Sequence, residues 1–443
     1  MNPLSVLARL SERGARPASR QTAAVSPIGI GMAGPLLVIF ATAFNLFLCF
    51  LNTLHLVDVG SADVVLAELA LLAAGLFCIR HNIDKASMQL AFFIFVYLMS
   101  MKLINPDVDL KILHDIAIIY IFYKLGTLAD IETGNALLWI IMTIVLALAA
   151  FEFLAPDAFG SVFNVWSYYV NKGVIGQDTI NYAHSNFYIS GSRGGAAART
   201  FFPGLFGSHR VSSIFLEPDS LGNFSVIAFA WCLSTSVGSR RSRILLIFLA
   251  ALCFVLADSR FASICCLIML VLRAMTFVHG KIFVFLIPVT VMLALTMAGF
   301  LLPMPDGGSP AIMHDDFSGR LLFSARVLGY WGLPQWFGLA GSQVYTADTG
   351  YAYFVNNLGL PLALFVFACF AKYPNPSREG AVMKLMTSAY FATALCVGAS
   401  VFTIKTAALL WFLYGTTSAI SGRGLPLALR KQAPLRGNAH WSS

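Results

Sequence analysis

The sequence predicts an all-α polytopic membrane helix bundle of about twelve transmembrane helices with two long outer loops. Three observations carry that prediction. Of 443 residues, 58% are apolar or aromatic and only 11% are charged, against roughly 25% charged in an ordinary soluble domain. The mean hydropathy is +0.77. The apolar residues fall into twelve runs, and the basic residues gather at the ends of those runs. Surface-to-volume scaling leaves such a chain too much surface to hide its side chains in one globule. A soluble enzyme, a disordered chain and a fibrous protein are excluded on that ground.

A span needs about 20 apolar residues, with roughly 17 to 25 tolerated. The twelve candidates are 28–51, 64–79, 88–104, 112–128, 136–155, 217–237, 244–257, 261–278, 282–302, 353–371, 385–402 and 406–420. The weakest are 112–128, which carries His114 and Asp115, and the short run 244–257. Residues 1–27 form a basic tail with Arg9, Arg13, Arg16 and Arg20. This tail does not read as a cleaved signal peptide, because the next run is long enough to span and no A-x-A site follows it. Residues 28–420 make a single membrane domain, and 421–443 a second tail.

Lys and Arg set the orientation. With the N-terminus in the cytoplasm, 18 of them face inward and 3 lie in the short outer turns. The bias places both termini in the cytoplasm. It also puts both long polar segments outside: loop A, 156–216, and loop B, 303–352. Loop A carries Lys172, Arg193, Arg199 and Arg210 against Asp157 and Asp178. Loop B carries Arg320 and Arg326 against Asp306, Asp315, Asp316 and Asp348. Their opposite signs favour docking of one loop on the other over a cavity near the spans that begin at Glu217 and Phe261. Their aromatics, including Trp166, Tyr168, Tyr169, Trp331 and Trp336, favour ordered structure against the membrane.

The net charge of +8 does not point to nucleic acid, because charge at the ends of apolar runs is an orientation signal. All eight cysteines lie in apolar runs, so neither a disulfide framework nor a zinc site is expected. Gly29-Ile-Gly31-Met-Ala-Gly34 matches a dinucleotide fingerprint in letters only, since no strand precedes it. Asp107-Val-Asp109 reads as a solvated turn rather than a metal site, for want of a third ligand. No Walker A motif is present. Glu68, Asp115, Lys124 and Glu152 fall inside spans, where charge is costly. Most sit near a span end, where snorkelling lowers the cost.

The informative stretch closes loop A: His209-Arg210-Val-Ser-Ser-Ile-Phe-Leu-Glu217-Pro218-Asp219-Ser220-Leu-Gly222-Asn223. Taken locally, it is a helix start: Pro218 suits the first turn, and the acids suit the positive end of the dipole. That reading leaves Arg210 unexplained. A second element, Asp258-Ser259-Arg260, lies at the next outer turn. A third runs through loop B: Asp316-Phe-Ser318-Gly319-Arg320, Arg326, Trp336-Phe-Gly338-Leu-Ala-Gly341, Asp348-Thr-Gly350-Tyr351 and Asn356-Asn-Leu-Gly359.

Together these elements resemble the Wzy / O-antigen ligase superfamily of bacterial membrane proteins that assemble surface polysaccharide. The likeness covers about residues 200–370 by motif and is nearest to exopolysaccharide polymerases of the xanthan or cepacian kind. It implies a metal-independent, cofactor-free glycosyltransferase of the bacterial inner membrane. Donor and acceptor would both be oligosaccharides on undecaprenyl pyrophosphate. A flippase and a chain-length co-polymerase would be pathway partners.

In the implied reaction an acceptor hydroxyl attacks the anomeric carbon and pyrophosphate leaves. Fixed guanidinium groups would stabilise the leaving group. Arg210 and Arg260 are the catalytic candidates, with Arg199, Arg320 and Arg326 in supporting contacts. Glu217 is the leading candidate base, and His209, Asp348 and His314 are further candidates. Tyr351 is a candidate sugar contact. One departure stands out: the ligase branch carries a histidine late in its second loop, where this chain has Asp348-Thr-Gly350-Tyr351. That favours a polymerase over a ligase. A flippase or other transporter is the rival. It would be expected to show paired repeats or helices broken at the membrane midplane. An acyltransferase is a third reading and would want a His-Asp pair.

Overall fold

The computed structural model describes residues 28–176, 186–187, 209–275, 280–303, 317–342, 344, 346, 349–375 and 377–418. Among them the chain is helical, without strands. The helices are α1 (Ile28–Thr53), α2 (Ser61–Ile79), α3 (Lys85–Ile104), α4 (Lys111–Thr127), α5 (Ile131–Leu154), α6 (Pro156–Val162), α7 (Val165–Asn171), α8 (Pro218–Ser234), α9 (Arg240–Leu256), α10 (Arg260–Ala274), α11 (Lys281–Leu301), α12 (Phe317–Tyr330), α13 (Leu333–Trp336), α14 (Gly350–Lys372), α15 (Arg378–Ala394) and α16 (Ile404–Ser418). Each of the twelve apolar runs is helical over most of its length. Six helices (α1, α2, α3, α5, α11 and α14) are long and apolar enough to cross a membrane. They mark a membrane protein.

Burial explains why some of the others are short. Every residue of α16 is buried, as is most of α8 and α15. These three are the hub, and a helix buried all round needs no polar face. Small residues let the hub pack closely. A Cβ on Gly126 of α4 would lie 2.1 Å from the Phe412 carbonyl of α16, and one on Gly415 would lie 2.3 Å from the Tyr123 carbonyl. Such contacts are the usual route to helix association in lipid, where apolar burial between helices gains little. The outer helices show the opposite pattern: Phe40, Phe47, Leu66, Phe77, Phe92 and Phe93 face outward. Side-chain caps start several helices: Asp84 for α3, Asp130 for α5, Ser239 for α9, Ser259 for α10 and Ser377 for α15.

Loop A begins with structure of its own. Helices α6 and α7 lie against the end of α1, where the Tyr168 hydroxyl donates to Asn45 Oδ1 at 2.7 Å and Asn171 Nδ2 to Asn52 Oδ1 at 2.9 Å. Loop B contains α12, whose Gly329 meets the backbone of Gly299 on α11 so closely that no Cβ fits. Docking of loop A on loop B falls largely on 177–185, 188–208 and 304–316, outside the described residues.

The expected span 353–371 falls in α14, one of the six helices long and apolar enough to cross, but that helix is not continuous. Gly359 adopts φ 67°, ψ 151°, a left-handed conformation that glycine accepts without strain. The helix folds back there. The rings of Phe354 and Phe367 lie 5.3 Å apart, whereas thirteen residues of straight helix would separate them by roughly 20 Å. The first half, 350–358, starts against the 395–398 turn, where Tyr351 N–H donates to the Leu395 carbonyl at 2.8 Å. It runs past Asp115, which accepts from the Tyr353 hydroxyl, to Asp109, whose N–H donates to Asn357 Oδ1 at 2.7 Å. Because Asp109 precedes α4 and Asp115 lies a turn inside it, this half-helix runs toward the end of the bundle at which α4 begins. The chain then turns back at Gly359.

Candidate functional site

The stretch that closes loop A is built around a buried carboxylate. Glu152, near the end of α5, is fully buried. It accepts from the Ser212 N–H and Oγ at 3.0 and 2.9 Å, and from the Ser213 N–H at 2.6 Å. His209 Nε2 lies 2.6 Å from Glu152 Oε1. The imidazole packs on Phe187 at 4.1 Å between ring centroids, and its Nδ1 is buried with no hydrogen-bond partner. Glu152 thus holds the histidine in one orientation, and the second nitrogen is buried without a hydrogen-bond partner among the described residues. This is the relation of a carboxylate to a general base in hydrolytic triads.

Arg210 follows directly. Its Nε donates to the Ala257 carbonyl at 2.9 Å, and Nη2 donates to Asp219 Oδ1 at 2.9 Å. The Val211 N–H donates to the Leu256 carbonyl at 3.1 Å. The segment is thereby laid along the end of α9, three residues before Arg260. Asp258 in that turn has φ 49°, an uncommon conformation for a non-glycine residue and one that clusters at functional sites. Ser259 caps α10 and Arg260 opens it. Gly222 lets α8 meet this turn, since a Cβ there would lie 2.5 Å from Ser259 Oγ. The Leu-Gly of the motif is thus a close-approach position.

Glu217 is the N-cap of α8, just outside the helix, and follows Leu216 at φ 61°. Its side chain is 32% exposed. Oε2 lies 2.6 Å from Lys405 Nζ and 3.0 Å from Ser220 Oγ, and Oε1 accepts from the Tyr169 hydroxyl at 2.6 Å. Burial alone would raise its pKa. The Lys405 ammonium and the Tyr169 hydroxyl outweigh burial and lower it to about 2. A carboxylate so engaged is a poor proton acceptor near neutrality. Lys172, in loop A, lies 5.8 Å from the centroid of the Tyr169 ring. Burial lowers its pKa, and the nearby Lys405 adds to this, while Glu217 and Glu68 oppose it.

The expected residues are therefore divided. His209, Arg210, Glu217 and Arg260 are gathered at one end of the bundle, where α5 ends and α8 and α10 begin. Arg210, however, pairs with Asp219 and not with Glu217. Arg320 and Arg326 are carried on α12, which packs mainly on α11 and α14. Tyr351 is fully buried, and its hydroxyl donates to the Pro288 carbonyl of α11 at 2.9 Å, an internal contact rather than an open sugar platform. Arg199, Asp348 and His314 lie outside the described residues. Lys124 pairs with Asp84 at 3.1 Å at the opposite end. Among the described residues no group of three or more His, Cys, Asp or Glu side chains could hold a metal ion, and the eight cysteines are unpaired.

Two partners and one fold-back are not evident from the sequence. Glu152 was noted as a costly charge, but nothing near it in sequence names His209. Lys405 lies just before the run 406–420, where its charge reads only as an orientation signal. The available signal is its sign, since a lysine and a glutamate each stand at the start of an apolar run, at ends that the charge bias assigns to the same side. The fold-back at Gly359 was announced by Gly359-Leu-Pro361, a helix stop followed by a helix start. Comparison with known proteins finds no matching family model, no matching curated protein and no matching solved structure.

Proposed function

We propose that this chain is a membrane glycosyltransferase of the polymerising kind, joining undecaprenyl-pyrophosphate-linked repeat units at the periplasmic face of the bacterial inner membrane. In this reading twelve helices span the membrane and both termini are cytoplasmic, as the basic-residue bias requires. The observation that carries the reading is the fixed guanidinium of Arg210. It is buried, anchored to the Ala257 carbonyl and Asp219, and adjacent to a carboxylate-oriented histidine.

The acceptor hydroxyl attacks the anomeric carbon, and the bond to the pyrophosphate oxygen breaks with its electron pair. Arg210 and Arg260 stabilise the charge that develops there. His209 takes the hydroxyl proton on Nδ1 while Glu152 holds Nε2. Glu217 keeps Lys405 at the mouth as a fixed counter-charge and is not the base. No metal or cofactor enters this scheme. The chain-length co-polymerase and flippase remain the expected pathway partners.

The experiment is deletion of the gene followed by sizing of the lipid-linked product. Single repeat units accumulating on the outer face, with polymer restored by the wild-type chain and not by Arg210→Ala, support the polymerase. One observation favours a second reading, a lipid-linked oligosaccharide flippase: the helix broken at Gly359 is a feature of transporters. That reading expects single units facing inward. Transfer to a lipid core instead of chain growth would mark a ligase.

A further inference from the structure

Away from the Arg210 segment, a second set of titratable groups meets inside the bundle. Glu68 lies two turns into α2 and His114 and Asp115 one turn into α4. His114 Nε2 is 3.4 Å from Glu68 Oε2, and His114 Nδ1 is 3.4 Å from Asp115 Oδ1. The imidazole therefore stands between two carboxylates. Its Nε2 is buried and makes no aligned hydrogen bond among the described residues. Asp115 is buried and accepts from the Tyr353 hydroxyl at 2.9 Å. Tyr353 belongs to the half-helix 350–358 that ends at the Gly359 fold-back. Two independent features, a protonatable cluster and a broken helix, thus meet at one hydrogen bond.

We propose that Glu68, His114 and Asp115 bind one exchangeable proton, taken from the outer side, and that its occupancy holds the half-helix 350–358 in place through Tyr353. This goes beyond the transferase reading and does not depend on it. With the proton on His114, both flanking contacts are charge-assisted. Without it, two like charges face a neutral ring in a poorly solvated interior, where each needs a partner. Among the described residues, the other charged or titratable groups around the cluster are Lys111 on α4, Tyr353 on α14 and Tyr168 on α7. Beyond them Lys172 in loop A couples to Glu68, and also to Glu217 and Lys405 at the starts of α8 and α16. Glu68 and His114 are the way in, since their side chains are 22% and 18% exposed whereas that of Asp115 is 1%. Loss of the proton loosens the cluster and weakens the hold of Asp115 on Tyr353.

The test uses the full chain in lipid nanodiscs. Two measurements are made between about pH 5 and 9, the window in which an imidazole exchanges its proton. In ¹⁵N-histidine spectra, a resonance absent from His114→Gln should titrate, and its midpoint should move in Glu68→Gln and Asp115→Asn. Hydrogen exchange across 350–358, corrected for its intrinsic pH dependence, should speed up about tenfold as the pH rises through that midpoint. In Asp115→Asn the rise should vanish, and in Tyr353→Phe exchange should be fast throughout. Should Asp115→Asn not fold, Glu68→Gln must flatten the response instead. A His114 resonance that does not titrate, or exchange that ignores its titration, overturns the proposal. So does a midpoint that moves when sodium replaces choline at constant ionic strength, because the ligand is then a metal cation.

Discussion

Lys405 Nζ lies 2.6 Å from Glu217 Oε2, joining the start of α16 to the start of α8 across 188 residues. Lys405 is otherwise buried, with the Phe215 carbonyl 3.5 Å away. The pair ties the hub of the bundle to the segment that carries His209 and Arg210. Glu217→Gln should therefore be mainly a structural change. Leaving Lys405 without its counter-charge should cost about 1–3 kcal/mol, below a fully buried pair because Glu217 is partly exposed. A double-mutant cycle with Lys405→Met should recover most of that loss. Because the folded pKa of Glu217 is lowered to about 2 from 4.5, its contribution is complete above the unfolded value and disappears as the pH falls from 4.5 toward 2. Thermal unfolding of wild type and Glu217→Gln should thus converge over that range. Equal stability of the two at pH 7 would remove the strut.

Arg210→Ala should fold, because its neighbours Val211 and Ser212 keep their own backbone bonds, yet lose transfer. A contact made mainly in the transition state is worth about 2–4 kcal/mol, or roughly 30- to 1000-fold in rate. Arg210→Lys should also be impaired, since one ammonium cannot reach both the Ala257 carbonyl and Asp219 in fork geometry. Polymer length on gels, normalised to protein in the membrane, is the readout. Normal chains from the Lys variant would reduce Arg210 to a membrane anchor.

Glu152→Gln separates orientation from stability. The amide keeps an acceptor for Ser212 and Ser213 but places two donors among existing donors. The cost should be about 1–3 kcal/mol of stability. If Glu152 orients the base, the loss in rate at matched protein level should equal that of His209→Gln, and the double variant should be no worse than either. Additive losses would separate the two residues.

Gly126→Ala should lower the yield of folded protein severely, since the new methyl meets a backbone carbonyl at 2.1 Å. Gly222→Ala meets the Ser259 side chain at 2.5 Å, so Ser259→Gly should partly rescue it. Overpacking of this kind costs roughly 1–3 kcal/mol where neighbours can move and more where they cannot. Melting of purified protein in detergent orders the two, and the order Gly222→Ala worse than Gly126→Ala would contradict the packing.

Alkaline phosphatase fused within 170–190 or 310–320 should be active, because both segments are placed outside by the basic-residue bias. Inactive fusions at both positions would reverse the orientation.

The sequence by itself determined the class of the molecule and the positions of its helices. Composition and run length depend on each residue's own solvation, so no partner is needed to read them. For the same reason 112–128 could be seen as helical despite His114 and Asp115. The sequence also marked His209, Arg210, Glu217 and Arg260 as neighbours of one membrane end. Tertiary structure alone decided how they combine. It put Asp219, not Glu217, on Arg210; it gave Glu217 to Lys405 and His209 to Glu152; and it turned Tyr351 inward to Pro288. It also folded α14 back at Gly359, which brought Tyr353 to Asp115. These pairings join residues far apart in the chain, and a buried charge takes whichever opposite charge or donor the packing brings within about 3 Å. That choice is made by helix contacts such as Gly126 against Phe412, whose spacing no local pattern encodes.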